Sequence, residues 1–228
     1  CAIGFKINFN KIMNNFNIII GAIIAANVIF SMRGFKDVEF FNKFKFNIGQ
    51  SRSGENIRYL SSGFLHVDVS HLLFNMLTFY FFAPVVANSM GDIKMVAIYF
   101  ASLLIGNIFS FFYHKNEMHY SAVGASGAVM GILYAAILMF PDMSLYLFFI
   151  PIPIPAWLFG IAYLAYSIYG MKSRSDNVGH DAHIGGAVAG YVLTLVFFPH
   201  ILQASLWIVI LLALPIIALY VLTRLGKI

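Results

Sequence analysis

The stretch GHDAHIGGAVAG, residues 179–190, places an ionisable side chain among small residues at helical spacing. His183 precedes Gly186, Ala187 and Gly190 by three, four and seven positions, so all four residues share one face of a helix. Gly186 and Gly190 form a GxxxG pair, the spacing that lets two helix backbones approach closely in a membrane. The stretch therefore predicts a tightly packed helix with a histidine on its contact face.

The composition of the chain indicates a membrane protein. Of its 228 residues, 61% are hydrophobic and 10% are charged, whereas soluble domains are about 45–50% apolar and about 25% charged. The high apolar content and the net charge of +5 exclude an intrinsically disordered chain. Basic residues spread through short loops are typical of the flanks of membrane helices, so no nucleic acid is expected as a partner. The single cysteine, Cys1, excludes an internal disulfide framework and a cysteine-based zinc site.

A bilayer takes about 20 apolar residues per helix, so a chain of this length has room for six or seven spans, and seven apolar segments are predicted as spans. A run of Pro151, Pro153 and Pro155 cannot continue a helix, so the fifth segment is predicted to begin near Pro155. The fold class is therefore all-α, a polytopic bundle of transmembrane helices. The predicted spans are residues 16–32, 64–87, 93–113, 121–140, 155–169, 182–199 and 201–222.

A polar segment of 31 residues, 33–63, holds six of the 14 basic residues and is rich in phenylalanine. Cations interleaved with aromatic rings suit the membrane interface, and a structured connector is an equally good interpretation. The charges of this segment also bear on which side of the membrane holds the N-terminus. A cytoplasmic N-terminus would leave 11 of the 14 Lys and Arg residues outside, so the positive-inside rule favours the opposite orientation.

Polar residues inside apolar spans are costly and are therefore candidates for function. His71 and Asn75 share one face of the second span, and His66 precedes them. Ser126 lies among small residues in Gly124-Ala-Ser-Gly-Ala-Val-Met-Gly131, where Gly127 and Gly131 form a second GxxxG pair. The other histidines assigned to loops, His114, His119 and His200, are interpreted as solvated or interfacial.

If the two GxxxG faces pack together, Ser126 and His183 meet. A hydroxyl is a weak nucleophile until a neighbouring base takes its proton, and an imidazole is suited to that role. Acyl transfer also needs hydrogen-bond donors aimed at the oxyanion. His71, Asn75 and the backbone N–H of Ser126 could provide them.

These residues resemble the motifs of the rhomboid family of intramembrane serine proteases. Gly124-Ala-Ser126-Gly127 resembles the GxSG motif of the family, and Ala182-His183-Ile-Gly-Gly186 with Gly190 resembles its AHxGGxxxG motif. The spacing of His66, His71 and Asn75 is similar to the pattern of its second span. The resemblance implies a single membrane domain over residues 1–228, with a six-helix core at about 12–199 and an extra C-terminal helix at about 201–222.

The resemblance also implies an activity. It makes Ser126 the nucleophile and His183 the general base of a dyad that lacks a carboxylate and needs no metal or cofactor. His71 and Asn75 would stabilise the oxyanion, and His66 would be mainly structural. The substrate would be a transmembrane segment of another protein, cleaved within the lipid bilayer near its surface. The small extramembrane portion of the chain favours a bacterial inner membrane.

Several positions depart from the family pattern or extend it. The Trp-Arg pair common in the first loop reads Ile57-Arg58, so Arg58 is kept and the tryptophan is absent. The aromatic residue that commonly follows the nucleophile by one turn is replaced by Met130, and Tyr134 lies one turn further along. The loop at residues 171–179, which includes Lys172, Arg174 and Asp176, corresponds to the loop that caps the site in the family and opens for substrate with the fifth helix.

Four other functions have weaker support in the sequence. A zinc protease would need a motif such as HExxH, and no histidine in the chain is followed by glutamate. An aspartyl protease would need two facing aspartates, but Asp68, Asp142 and Asp181 all lie near span ends. A histidine proton relay in a transporter leaves the small-residue setting of Ser126 unexplained. The main alternative is a catalytically inactive rhomboid-like protein that binds transmembrane helices, although such relatives lose the serine or the histidine.

Overall fold

A computed structural model describes residues 17–147, 150–173 and 178–226. In chain order, the helices are α1 (Ile18–Gly34), α2 (Val38–Phe44), α3 (Ile48–Arg52), α4 (Arg58–Ser61), α5 (Val69–Met90), α6 (Asp92–Tyr113), α7 (Ser126–Met139), α8 (Ala156–Ser173), α9 (His180–Phe197), α10 (Ile201–Ala204) and α11 (Leu206–Arg224). The strands are β1 (Phe46–Asn47), β2 (Ser121–Ala122), β3 (Ser144–Leu147) and β4 (Ile150–Pro155).

The predicted all-α polytopic bundle is confirmed. Among the described residues, α5, α6 and α11 are long and apolar enough to cross a membrane, and α1 and α7 are apolar but shorter. Strands form only two small antiparallel pairs in this part of the chain, β1 with β2 and β3 with β4. Cys1, Lys6, Lys11, Arg174 and Asp176 lie outside the described residues.

Three predicted helix bounds were wrong for local reasons. α5 begins at Val69 instead of residue 64, because the Asp68 side chain accepts a hydrogen bond from the His71 N–H (2.7 Å) and caps the helix. α7 begins at Ser126 instead of residue 121, because residues 121 and 122 pair with β1. The last predicted helix is broken at Ser205 into α10 and α11.

α7 is the centre of the bundle. Every residue from Gly127 to Leu138 is buried, and α5, α6 and α9 pack around it. Its 14 residues span about 21 Å at about 1.5 Å per residue, less than the hydrocarbon thickness of about 30 Å. The N-terminal end of α7, where Ser126 lies, can therefore sit below the membrane surface.

The segment from residue 33 to residue 63 is folded against the bundle. Arg58 is 2% exposed, and its guanidinium donates to the carbonyl oxygens of Asn42 and Lys45, both at 2.8 Å. It also pairs with the Glu55 carboxylate at 2.7 Å. Because strand β1 pairs with β2, the segment is attached to the chain that leads into α7.

Candidate active site

Ser126 and His183 lie within hydrogen-bond distance of each other. Ser126 is the first residue of α7, and His183 lies in the first turn of α9. The distance from Ser126 Oγ to His183 Nε2 is 2.6 Å. Ser126 is half-buried, while His183 is 4% exposed. A partly exposed hydroxyl is thus paired with an enclosed imidazole.

The predicted packing of the two GxxxG faces is present in the structure. A methyl group on Gly186 would overlap the carbonyl group of Gly127, and one on Gly190 would overlap the backbone of Gly131. The backbones of α7 and α9 are therefore in direct contact at two levels, one turn apart. This close approach places a serine on one helix beside a histidine on the other.

His71 lies beside the nucleophile. Gly124 has a φ of +130°, a conformation that L side chains rarely adopt. A Cβ there would lie 2.8 Å from Cε1 of His71 and 3.6 Å from Ser126 Oγ. Because Gly124 has no side chain, the His71 ring has room beside it. Ser126 follows Gly124 by two residues, so the ring lies next to the nucleophile.

Asn75 is on the same helix face as His71 but is engaged within its own helix. Its side-chain amide donates to the carbonyl oxygen of His71 at 3.0 Å, one turn back. The side chain is 7% exposed. Asn75 thus supports the first turns of α5 in this structure.

His66 connects three parts of the site. The Ala125 N–H donates to Nε2 of His66 at 3.4 Å, so the ring proton of the neutral histidine is on Nδ1. Nδ1 can then donate to Ser31 Oγ at 2.8 Å, and Ser31 donates to the Phe64 carbonyl oxygen at 3.0 Å. His66 therefore links α1 to the residue that precedes the nucleophile.

Sequence reasoning missed Ser31, which is fully buried on an apolar helix and could have been found as a polar residue within a span.

His114 was interpreted as solvated or interfacial, and the structure shows that it is not solvated. The ring is 7% exposed and stacks on Tyr120 at 3.5 Å. Its Nδ1 lies 2.9 Å from a Glu117 oxygen, and its Nε2 lies 3.7 Å from an Asp181 oxygen. Burial opposes the charged ring, but the Asp181 and Glu117 carboxylates outweigh it and raise the pKa of His114. His119 and His200 are exposed, in agreement with the sequence interpretation.

Two further side chains near the dyad were not assigned from the sequence. Tyr163 of α8 has its hydroxyl oxygen 3.1 Å from Nδ1 of His183. The Tyr120 hydroxyl donates to the Asp181 carboxylate at 3.2 Å, two residues before His183. Within the described ranges, no group of three or more His, Cys, Asp or Glu side chains is placed to hold a metal ion.

Comparisons with known proteins agree with these observations. The family model of the rhomboid domain matches residues 53–200. The mitochondrial RHOMBOID-like protein 12 of Arabidopsis thaliana is 29% identical over 192 residues, which cover 77% of this chain and 57% of that protein. The mitochondrial Rhomboid protein 1 of Saccharomyces cerevisiae is 31% identical over 137 residues, 59% of this chain and 40% of its own length.

A bacterial relative matches as well. The rhomboid protease AarA of Providencia stuartii is 28% identical over 175 residues, which cover 68% of this chain and 61% of AarA. The chain thus spans less than two thirds of the length of each of these three relatives. Because the family model covers more than half of the chain, and includes both the GxSG and the AHxGG stretches, the chain is a multi-pass membrane protein that belongs to the rhomboid family.

Proposed function

We propose that the protein is an intramembrane serine endopeptidase that uses a Ser126–His183 dyad. Family membership makes it either a rhomboid intramembrane protease or an inactive relative. The observation that favours an active enzyme is the 2.6 Å distance between Ser126 Oγ and His183 Nε2. Both side chains lie at helix ends that are held together by backbone contacts between α7 and α9.

The first chemical step forms an acyl-enzyme. His183 Nε2 takes the Ser126 hydroxyl proton while Oγ bonds to the carbonyl carbon of the scissile peptide. The tetrahedral intermediate then collapses, the C–N bond breaks, and His183 returns the proton to the departing amine. In the second step, a water molecule gives a proton to His183 while its oxygen bonds to the acyl carbon. The bond from the acyl carbon to Ser126 Oγ then breaks, which releases the carboxyl product, and His183 returns the proton to Oγ.

The oxyanion would be stabilised by groups that surround the first residue of α7. The first N–H groups of a helix have no partner within that helix, and the helix dipole favours negative charge there. The Ser126 N–H is one of these groups, and the adjacent His71 ring could offer a second donor. Asn75 would contribute only after its amide leaves the His71 carbonyl.

The substrate would be a transmembrane segment of another membrane protein. A helix as short as α7 would allow the nucleophile to lie below the membrane surface, where an unwound segment of a substrate helix could reach it. The relatives do not support the expectation of a bacterial inner membrane, since two of the three are mitochondrial proteins. The proposal therefore names the substrates only by class, as membrane-spanning polypeptides.

Cleavage of a model transmembrane substrate by the purified protein tests this proposal. Loss of a triad nucleophile or base in serine proteases costs a factor on the order of 10⁴ or more in rate. We expect Ser126→Ala and His183→Ala to lose cleavage on that scale, and a fluorophosphonate to label Ser126 in the wild type. His119→Ala, an exposed histidine in the same half of the molecule, is the control and should cleave normally.

Two results would contradict the proposal. If the wild type neither cleaves the substrate nor reacts with the fluorophosphonate while it still binds transmembrane peptides, the inactive rhomboid-like alternative is correct. If Ser126→Ala cleaves as fast as the wild type, another group is the nucleophile.

A further inference from the structure

Tyr163 contacts the general base from a neighbouring helix. It lies in the middle of α8 and is half-buried. Its hydroxyl oxygen is 3.1 Å from Nδ1 of His183, and the two rings are tilted by 36° with centroids 5.7 Å apart. Phe159, one turn earlier on α8, stacks on the Tyr163 ring with centroids 5.9 Å apart.

The hydrogen bond matters because the two ring nitrogens of histidine have different roles. Nε2 faces Ser126 Oγ and must hold a free lone pair to accept the proton. The proton of the neutral ring must then be on Nδ1, and an enclosed Nδ1–H requires an acceptor. A hydroxyl oxygen at 3.1 Å can fulfil this requirement.

In serine proteases with a full triad, a carboxylate accepts the Nδ1–H of the catalytic histidine. Here the carboxylate nearest in sequence is Asp181, two residues before His183. One Asp181 oxygen accepts from the Tyr120 hydroxyl at 3.2 Å, and the other lies 3.7 Å from His114 Nε2. Both Asp181 oxygens therefore face Tyr120 and His114, whereas the Tyr163 hydroxyl lies 3.1 Å from His183 Nδ1.

The aromatic residue expected from α7 does not provide this contact. The position one turn after Ser126 is Met130. Tyr134, another turn along, donates its hydroxyl to the Gly160 carbonyl oxygen at 2.9 Å and so connects α7 to α8. The contact to Nδ1 that the structure shows is made from α8.

We propose that Tyr163 is a positioning residue for His183: its hydroxyl oxygen accepts the Nδ1–H and holds the ring in the tautomer that leaves Nε2 free for Ser126. This inference rests on the proposed protease function. When Nε2 takes the proton from Ser126, both ring nitrogens carry hydrogen, and the Nδ1–H bond to Tyr163 becomes a bond from a charged donor. Its contribution is then larger than in the resting enzyme.

Tyr163→Phe keeps the ring and removes only the hydroxyl. Hydrogen bonds to charged groups correspond to a rate effect of about 10- to 100-fold. We expect kcat for a model transmembrane substrate to fall by that factor with KM unchanged. The rate at which a fluorophosphonate labels Ser126 should fall in parallel, because this small reagent reports on the nucleophile without requiring a substrate helix to enter. Tyr169→Phe, at an exposed position of the same helix, is the matched control and should equal the wild type.

Nitrogen-15 NMR of histidine-labelled protein gives a readout that a merely structural role of Tyr163 would not change. The signals that are missing from His183→Ala identify those of His183. In the wild type, we expect these signals to show a ring protonated on Nδ1. In Tyr163→Phe, we expect them to show a mixture of the two tautomers. A wild-type His183 protonated on Nε2 overturns the inference, even if the variant proves too unstable to assay.

The outcomes separate this inference from the proposed function. If the wild type neither cleaves nor is labelled, the protease proposal fails. If the wild type is active and Tyr163→Phe cleaves and is labelled at the wild-type rate, only the role of Tyr163 is refuted. If KM rises while kcat and the labelling rate are unchanged, Tyr163 contacts the substrate instead of positioning His183, and the inference is again refuted.

Discussion

His114 is enclosed between two carboxylates near the C-terminal end of α6. Glu117 lies 2.9 Å and Asp181 lies 3.7 Å from its ring nitrogens, and the ring stacks on Tyr120. This arrangement connects the loop after α6 to the first turn of α9, two residues before His183. The charge of one loop histidine therefore affects how firmly the helix of the proposed base is held.

The stabilising effect of His114 should depend on pH in a defined direction. Although burial opposes the charge, the two carboxylates raise the pKa of His114 in the folded protein. The stabilisation is therefore complete below the unfolded pKa of about 6.5 and is lost as pH rises through the higher folded value. In thermal unfolding between about pH 5.5 and pH 9, we expect the Tm difference between the wild type and His114→Phe to be largest at low pH and to shrink by a few degrees, since solvent screening limits the effect.

His119→Phe is the control for this titration because its ring is exposed in the same loop. Comparison with its Tm at each pH separates the effect of the His114 contacts from the general effect of replacing a histidine in this loop. A His114→Phe difference that grows as pH rises would contradict the proposed pairing with Glu117 and Asp181.

At the scale of elements, the contact between α7 and α9 determines the geometry of the dyad. The two helices touch through backbone atoms at Gly186 and Gly190, so no side chain between them can rearrange to absorb an added atom. Tight interiors transmit such changes, and overpacking costs about 1–3 kcal/mol, occasionally more. The distance between Ser126 and His183 depends on this contact.

Gly186→Ala should therefore separate the two helices. A methyl group at this position would overlap the Gly127 carbonyl group, which is backbone and cannot rotate away. We expect the free energy of unfolding to fall by about 1–3 kcal/mol or more, measured by thermal denaturation in detergent. The fluorophosphonate labelling rate of Ser126 should fall as well.

Gly160→Ala is the matched control in a neighbouring helix. Its Cβ would meet the terminal methyl group of Ile137 at 2.9 Å, an atom that can move aside. The gain of about 1 kcal/mol in helix propensity from glycine to alanine should offset the contact. Equal losses of stability in Gly160→Ala and Gly186→Ala would show that the backbone contact between α7 and α9 has no special role.

At the scale of the whole molecule, the bundle has two different ends. The site end combines the segment 33–63, the loop after α6 and the beginnings of α7 and α9. The opposite end holds the beginning of α1, where the Asn17 amide donates to the Asp92 carboxylate at 2.6 Å, together with the β3–β4 pair. We expect the alternating directions of the helices to place these groups on opposite sides of the membrane.

Cysteine labelling tests this arrangement in a Cys1→Ser background. Four exposed positions are suitable. Ser53→Cys and His119→Cys form the pair at the site end, and Asp142→Cys and Gln203→Cys form the pair at the opposite end. In sealed vesicles, a thiol reagent that does not cross membranes should label one pair and spare the other until the vesicles are opened. The positive-inside rule places the pair with Ser53 on the inner side, because the segment 33–63 holds six of the 14 basic residues.

Labelling of one member from each pair on the same side would contradict the helix directions. Labelling of the pairs on the sides opposite to those expected would contradict only the charge argument.

Composition and periodicity alone predicted a lipid environment, a helical fold class and the polar residues that stand out from an apolar background. These properties depend on composition and on spacing within single helices, such as His183 with Gly186 and Gly190, or His71 with Asn75. The catalytic roles of Ser126 and His183 stay predictions until activity is measured. The positions of the two side chains were predictable because paired GxxxG faces restrict how two helices can meet.

The contacts between distant side chains around the dyad depend on how the helices pack together. Tyr163 lies 20 residues from His183, Ser31 lies 35 residues from His66, and Tyr120 lies 61 residues from Asp181. No local spacing relates these residues, because their contacts depend on helix crossing angles, helix lengths and the path of the loops. Periodicity within one helix predicts which face turns inward. The hydrogen-bond partners on that face depend on how the neighbouring helices pack against it.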